Sequence, residues 1–203
     1  MLFHQAGWSR GEYREIAPRL VAMGFNCLAV DQRSGDAVNG VVNQTARRAR
    51  EAGLGIGMPE AARDVEAALR YARARLARGP VLAWGSSYSA ALVLTIAGRH
   101  PGIVDGVLAF SPGEYLGGSA GASPVAAAAR RITAPVFITS ARSERKDWRA
   151  IYDAIPSSRK RAYLPESEGR HGSSALWRST PGNEGYWQAV RGFLNLQFPR
   201  GRR

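Results

Sequence analysis

The chain has 203 residues, of which 45% are hydrophobic, and this is enough for one domain with a full core but too short for two comfortable ones. The formal net charge is +12, yet only Lys146 and Lys160 of the 28 basic residues are lysines, and the arginines are scattered through most of the predicted helices instead of forming one stripe. Because the arginines form no stripe, we do not expect nucleic acid as a partner. No apolar run approaches the roughly 20 residues of a membrane helix, and the first residues lack the basic region and cleavage site of a signal peptide, so we do not expect a membrane as a partner either.

Short apolar runs alternate with helical patterns along the whole chain, which is typical of a mostly parallel sheet with helices on both faces. Apolar residues at helical spacing predict helices that begin near Tyr13, Pro59, Ala90 and Gly185. The second of these is predicted to bury one face, made of Ala62, Val65, Leu69, Ala72 and Leu76. We therefore expect a single α/β domain over residues 1–203. Six runs are predicted to be its strands, at residues 1–4, 26–31, 80–84, 104–110, 135–139 and 161–164.

Two segments, residues 34–58 and 113–129, show no regular pattern, and no helix or strand is predicted in them. Both would lie over the carboxyl edge of the sheet, where ligands bind in open α/β folds. The second segment, taken as residues 113–131, is expected to form a short cap-like insertion.

The third predicted strand runs directly into a serine that has small residues two positions before and two positions after it. A nucleophile on a strained strand-to-helix turn requires this spacing because the turn packs those two positions closely together. Ser87 meets the requirement with Gly85 and Ser89, whereas Ser86 would put two aromatic residues in the tight positions. Ser89 lies a turn too far from the strand. Ser87 is therefore the candidate nucleophile, and a serine that only caps the following helix is the alternative.

A serine hydroxyl is a weak nucleophile near neutral pH, so it needs an imidazole to accept its proton and a carboxylate to orient that imidazole. With a nucleophile on this kind of turn, the acid and then the histidine follow along the chain. His4 precedes Ser87 and His100 lies just after the nucleophile region, which leaves His171, in a loop after the last predicted strand. His171 is the candidate general base.

The acid is expected a few residues past the fifth predicted strand. Glu144 fits this spacing best, and Asp147 is the alternative. Both lie among Arg142, Arg145 and Lys146, so either could instead be a solvated surface charge.

An oxyanion hole is expected from two backbone N–H groups. One belongs to Tyr88, which follows the nucleophile. The other would come from the loop after the first strand, where Gln5 and Ala6 are both candidates. His4, in the same loop, is interpreted as a residue that holds the loop in place.

Five residues lie where they could line a substrate site. They are Trp8, Tyr88, Glu114, Tyr115 and Trp177. Aromatic residues at such places serve packing as often as recognition.

In order and spacing, these pieces resemble the α/β-hydrolase superfamily, and within it the compact branch of dienelactone-hydrolase-like proteins and small serine esterases. The likeness is carried by His-Gln-Ala-Gly at residues 4–7, Asp-Gln-Arg-Ser-Gly at 31–35, the turn at 85–89 and the loop around His171. It runs over nearly the whole chain. It implies hydrolysis of ester or thioester bonds through an acyl-enzyme, with no metal and no cofactor.

The chain departs from that family pattern in three ways. Ser89 stands where the family usually has Gly, and the nucleophile is Ser where dienelactone hydrolases proper have Cys, which weakens the case for that substrate. The first two strands of the family are absent, so residues 1–4 would have to pair with neighbours on both sides. We therefore expect further residues upstream, which leaves the cellular location open.

The sequence thus predicts a serine hydrolase for small acyl esters or thioesters. A catalytically inactive relative that keeps the fold as a binding module is the first alternative. A protein that binds an anionic partner such as nucleic acid through its arginines is the second. The oligomeric state is not predicted.

Overall fold

The computed structural model describes residues 1–117 and 122–199. Its main sheet has six parallel strands in the order β2-β1-β5-β6-β7-β8. They are β1 (Leu2–Phe3), β2 (Ala29–Val30), β5 (Leu82–Ser86), β6 (Gly106–Phe110), β7 (Val136–Thr139) and β8 (Lys160–Tyr163). All six predicted strands are therefore present. The two-residue strand β1 pairs with β2 on one side and β5 on the other, as the sequence predicts.

Helices cover both faces of this sheet. They are α1 (Ile16–Ala22), α2 (Gln44–Glu51), α3 (Met58–Tyr71), α4 (Tyr88–Arg99), α5 (Pro124–Ala129), α6 (Arg145–Ala154) and α7 (Asn183–Gln197). One core cluster joins the sheet to α3, α4, α5 and α6, and a second joins its other face to α1 and α7. The fold is thus doubly wound, and the carboxyl ends of the strands meet at one edge.

The first and third predicted helices match α1 and α4 closely. Pro18 lies in the first turn of α1, where its missing N–H has no helical partner to lose, and Gly24 follows the helix with a positive φ of 78°. In α4, residues 88 to 98 are all buried, because the helix lies between the sheet, α3 and α5.

The helix after Pro59 departs from its predicted apolar face. The α-helical part α3 buries Val65 and Leu69, but residues 72–76 form a π-helical turn. A π turn adds a residue to the winding, so it rotates the positions that follow it. Leu76, predicted on the buried face, is consequently 50% exposed.

The segment 34–58, for which no element is predicted, contains the hairpin β3 (Ala37–Val38) and β4 (Val41–Val42) and the helix α2. The helix buries only Ala46 and Ala49, so its apolar stripe is too small to stand out in the sequence. Its start is fixed by Asn43, whose side chain accepts from the N–H of Ala46 at 2.8 Å. The hairpin packs against the turn at Arg10–Tyr13, beside the candidate site.

The cap-like insertion expected at 113–131 includes residues 118–121, which lie outside the described residues. Its later part forms α5, which packs on α4 and buries Val125 and Ala129 in the core. Within the described ranges, no helix is both long and apolar enough to cross a membrane.

The contact between α4 and α5 depends on a glycine. A Cβ atom added at Gly98 would lie 2.1 Å from the carbonyl oxygen of Ala128. We expect Gly98→Ala to lower the melting temperature by about 5 °C, since overpacking costs about 1–3 kcal/mol and each kcal/mol moves Tm by about 2–4 °C in a domain of this size. Gly79→Ala is the matched control, because no heavy atom lies within 4 Å of its added Cβ. Equal melting temperatures for the two variants, measured by calorimetry, would contradict the described packing.

Candidate active site

The turn between β5 and α4 holds Ser87 in a strained backbone conformation. Its φ and ψ are 54° and −121°, in the region that favours glycine. The helix approaches the strand so closely that a Cβ atom at Gly85 would lie 2.3 Å from the carbonyl oxygen of Ser89. This is the steric cause of the small-residue spacing in the sequence.

The three neighbouring serines have different surroundings. The hydroxyl of Ser86 is buried and donates to Glu12 Oε1 at 2.6 Å. The hydroxyl of Ser89 is also buried and donates to the carbonyl oxygen of His4 at 2.5 Å. Ser87 is half-buried, and its hydroxyl makes no hydrogen bond to any residue that the structure describes. Among the three, Ser87 therefore has the hydroxyl that is free to meet a substrate.

His171 and Glu144 are brought together after the last strands of the sheet. Nδ1 of His171 lies 2.5 Å from Oε1 of Glu144. Asp147, the alternative acid, is exposed in the first turn of α6. The carboxylate in contact with the imidazole is therefore that of Glu144, and Nε2 is the ring nitrogen left for a substrate or nucleophile.

Glu144 raises the pKa of His171, and His171 lowers the pKa of Glu144. The hydrogen bond to Glu144 and its charge raise the pKa of His171 above its ordinary value, although burial opposes them. Burial raises the pKa of Glu144, but hydrogen bonds from His171, Ser111 and Ala141 outweigh it and the pKa lies below its ordinary value. The pair thus favours a carboxylate beside an imidazole that is readily protonated.

Ser111, which was not predicted, fixes the other side of Glu144. Its hydroxyl donates to Glu144 Oε2 at 2.6 Å and accepts from the N–H of Gly172 at 2.8 Å. Ser111 also has a positive φ of 54°, directly after β6. Its place at the end of a buried central strand was the one available signal in the sequence.

Ser87 and His171 are not hydrogen-bonded to each other in this structure. Their segments are nevertheless in direct contact, because the N–H of Ser173 donates to the hydroxyl of Ser86 at 2.8 Å. Hydrogen bonds between a nucleophile and its base are often long before substrate binds.

Two backbone N–H groups predicted to form the oxyanion hole have no acceptor among the described residues. The N–H of Gln5, one of the two predicted donors from the first loop, is already donated to Glu12 Oε2 at 2.8 Å. The N–H of Ala6 has no acceptor among the described residues, and the same holds for Tyr88 at the start of α4. The geometry therefore favours Ala6 over Gln5 as the partner of Tyr88 in an oxyanion hole.

His4 is fully buried beneath this loop. Nδ1 lies 2.7 Å from the carbonyl oxygen of Gln5, and Nε2 lies 3.2 Å from the side-chain amide of Asn43. Burial lowers the pKa of His4, so the ring is neutral at physiological pH. These contacts agree with a residue that holds the loop.

The residues predicted to line a substrate site fall into two groups. Trp8 and Trp177 stack at a centroid distance of 5.4 Å, and the guanidinium of Arg170 lies 5.6 Å from the Trp177 ring. This stack adjoins both the Ala6 loop and the His171 loop. The side chain of Tyr88, by contrast, is buried and its hydroxyl donates to the carbonyl oxygen of Met58.

Glu114 and Tyr115, in the segment after β6, form the second group. The carboxylate of Glu114 accepts the N–H groups of Val125 and Ala126 at 2.8 and 2.9 Å. It thereby caps α5, so its observed contacts are structural. Tyr115 is 39% exposed, and its hydroxyl donates to the carbonyl oxygen of Ser111 at 3.3 Å. Tyr115 therefore remains next to Glu144 and accessible.

The strand order, the strained serine after β5 and the carboxylate–imidazole pair after the last two strands define an α/β-hydrolase. The chain belongs to the serine aminopeptidase S33 family, whose model matches residues 1–166. The match includes Ser87 and Glu144 and ends before His171. A search of curated proteins finds no match.

Several solved structures are similar to this chain. A dienelactone hydrolase from Anabaena variabilis matches with a TM-score of 0.67 and 14% identity, covering 97% of this chain and 85% of its own. A monoacylglycerol lipase from Paleococcus ferrophilus matches with a TM-score of 0.64 and 14% identity, covering 97% and 93%. An esterase from Pyrococcus furiosus gives 0.65 and 16%, covering 97% and 82%. At these identities the likeness establishes the fold.

The strain at Ser87 can be measured directly. We expect Ser87→Gly to melt about 2–4 °C above Ser87→Ala, because both lack the hydroxyl and differ mainly in the backbone freedom at position 87. Relief of a strained φ is worth about 1–3 kcal/mol, which exceeds the about 0.5–1 kcal/mol that glycine costs in chain entropy. Comparison of the two variants by differential scanning calorimetry checks this. A glycine variant that melts at or below the alanine variant would contradict the strain.

Proposed function

We propose that the protein is a serine hydrolase that cleaves carboxylic ester or thioester bonds of small acyl substrates through an acyl-enzyme. The observation that carries the proposal is the free, half-buried hydroxyl of Ser87 on its strained turn, in a chain whose His171 is hydrogen-bonded to Glu144. Strained backbone conformations of this kind cluster at functional sites, so the strain at Ser87 favours a functional role over a purely structural one.

The chemistry follows from these groups. Ser87 Oγ attacks the acyl carbon while Nε2 of His171 accepts its proton, and Glu144 stabilises the imidazolium that forms. The N–H groups of Ala6 and Tyr88 donate to the oxygen that gains negative charge. His171 then gives the proton to the departing alkoxide or thiolate. Water, activated by the same imidazole, releases the acid and restores Ser87.

The surroundings suggest the size of the acyl group. The segment between β6 and α5 is short, so a cover over Ser87 would be small. The stacked rings of Trp8 and Trp177 offer a flat apolar wall beside the Ala6 loop. We therefore expect short or flat acyl groups to be the best substrates.

The alternative is an inactive relative that binds a ligand without cleaving it. The two differ in whether Ser87 reacts. A fluorophosphonate should modify Ser87 and leave Ser86 and Ser89 unmodified, because the latter two hydroxyls are buried and already hydrogen-bonded.

Replacement of Ser87 tests the hypothesis that the protein is a serine hydrolase. We expect Ser87→Ala to lower turnover of the best substrate from a panel of short to long acyl esters and thioesters by on the order of a million-fold. The fluorophosphonate adduct, followed by mass spectrometry, should also disappear. Retained hydrolysis would show that another residue is the nucleophile, and an intact folded protein that forms no adduct and cleaves nothing would favour the binding module.

The pH dependence tests the carboxylate–imidazole pair. The contact with Glu144 raises the pKa of His171 above 6.5, so kcat/KM should rise with pH through a midpoint above that value. In Glu144→Gln the charge is lost, so the midpoint should move to lower pH while kcat falls by on the order of 10²- to 10⁴-fold. Asp147→Asn is the matched control, since Asp147 is exposed and the carboxyl in contact with His171 is that of Glu144. A midpoint that moves in the Asp147 variant and not in the Glu144 variant would contradict the assignment.

A further inference from the structure

Glu12 is a fully buried carboxylate with no cationic partner among residues 1–117 and 122–199. It lies in the short turn Arg10–Tyr13 between β1 and α1. Asp31, the other buried acidic residue in the part of the chain that the structure describes, is paired with Arg10. A buried charge without a counter-ion lowers the stability of a protein unless hydrogen bonds compensate for its lost hydration. A buried carboxylate such as Glu12 is therefore a candidate for a functional role.

The carboxylate of Glu12 joins three segments of the candidate site. Oε2 accepts the N–H of Gln5 at 2.8 Å, in the loop that carries the free N–H of Ala6. Oε1 accepts the hydroxyl of Ser86 at 2.6 Å, the residue before the nucleophile. Ser86 in turn accepts the N–H of Ser173 at 2.8 Å, two residues after the general base.

The space around this carboxylate is filled. A Cβ atom added at Gly172 would lie 2.6 Å from Ser86 Oγ, 2.8 Å from Gln5 Oε1 and 3.7 Å from Glu12 Oε1. The carbonyl oxygen of Glu12 accepts the indole N–H of Trp177 at 2.8 Å, which ties the turn to the aromatic wall. Movement of the Glu12 side chain would therefore displace all three segments.

We propose that Glu12 is a positioning residue for the reaction: its charged carboxylate holds the Ala6 donor, the nucleophile turn and the His171 loop in the arrangement that stabilises the transition state. The inference rests on the proposed hydrolase function. In the proposed mechanism Glu12 contacts no reacting atom, and it acts through Gln5 and Ser86.

The charge of Glu12 is set by its surroundings. Burial raises its pKa to about 7, although hydrogen bonds from Ser86 and Gln5, the nearby N–H of Ser173 and the charge of His171 oppose the change. Two titratable groups face it: His171 from the neighbouring loop, and Tyr13 on the same turn, which stays neutral because burial raises its pKa well above 10. As pH falls through about 7, Glu12 therefore loses the charge that holds Gln5 and Ser86. His171, whose pKa lies above its ordinary value, is also protonated as the pH falls, so both groups contribute to the acid limb.

The kinetic test compares Glu12→Gln with Glu15→Gln. Glu15 lies three residues further on, exposed, and accepts the N–H of Arg178. At pH 8 we expect Glu12→Gln to lower kcat by about 10- to 100-fold with KM changed less than about 3-fold, because misplacement of an oxyanion donor costs up to the 10²- to 10³-fold of its removal. The acid limb of kcat/KM should be steeper than a one-proton curve in the wild type and should become a one-proton curve in Glu12→Gln. Unchanged kcat and slope would overturn the proposal, as would equal losses in both variants.

Two further measurements keep the inference testable if Glu12→Gln does not fold or the wild type cleaves none of the substrates. In Ser86→Ala one hydrogen bond to the carboxylate is lost, so the ionisation of Glu12 should move to higher pH. In the wild type the NMR shift of the Gln5 amide should titrate with a midpoint near 7, and that midpoint should rise in Ser86→Ala. A Gln5 amide that does not titrate would overturn the role of Glu12 whatever the activity, whereas a titrating amide in a protein without hydrolysis would contradict the proposed function alone.

Discussion

The close approach of α4 to the end of β5 is the constraint on which the candidate site depends. The backbone of Ser89 lies so near Gly85 that a side chain at position 85 is excluded. In this turn Ser87 has a positive φ, and among the described residues its hydroxyl has no counterpart of the buried hydrogen bonds made by Ser86 and Ser89. The reactivity that we propose for Ser87 would thus follow from how a helix packs on a strand, with the surrounding core supplying the free energy that maintains the strain.

The same sheet edge holds two carboxylates in opposite electrostatic environments. Glu144 is half-buried and receives hydrogen bonds from His171 and Ser111, so its pKa is lowered and it remains charged. Glu12 is fully buried with no cation beside it among the described residues, and burial raises its pKa to about 7. Glu144 is therefore the carboxylate that stays charged to lower pH beside the imidazole, while Glu12 loses its charge near neutral pH. The difference arises from burial and hydrogen-bond donors, because the two side chains are chemically identical.

Much of the fold was predictable because strands, turns and buried helices leave periodic apolar patterns. The six strands and the buried helix α4 follow from such patterns, and the spacing around Ser87 reports a local steric constraint. The helix α2 was missed because only two small residues, Ala46 and Ala49, are buried along it. Leu76 was misplaced because a π turn cannot be read from an apolar period.

For the candidate site, sequence order could predict that Ser87, Glu144 and His171 each follow a strand of the sheet, and the structure brings Glu144 and His171 into contact. Ser111 and Glu12 were not predicted, since their importance comes from contacts across long stretches of chain. The occupied N–H of Gln5 could not be foreseen for the same reason: its acceptor lies seven residues away in a turn with no distinctive pattern. Sequence order identified the candidate reactive groups, whereas the contacts that hold them are visible only in the packed structure.

We propose that the hydroxyl of Ser87 attacks an acyl carbon whose oxygen accepts hydrogen bonds from the N–H groups of Ala6 and Tyr88. A crystal structure of the fluorophosphonate adduct would show this arrangement. We expect a bond from phosphorus to Ser87 Oγ, with the phosphoryl oxygen about 2.7–3.1 Å from the nitrogens of both Ala6 and Tyr88. An adduct on another residue, or a phosphoryl oxygen directed away from both nitrogens, would contradict it.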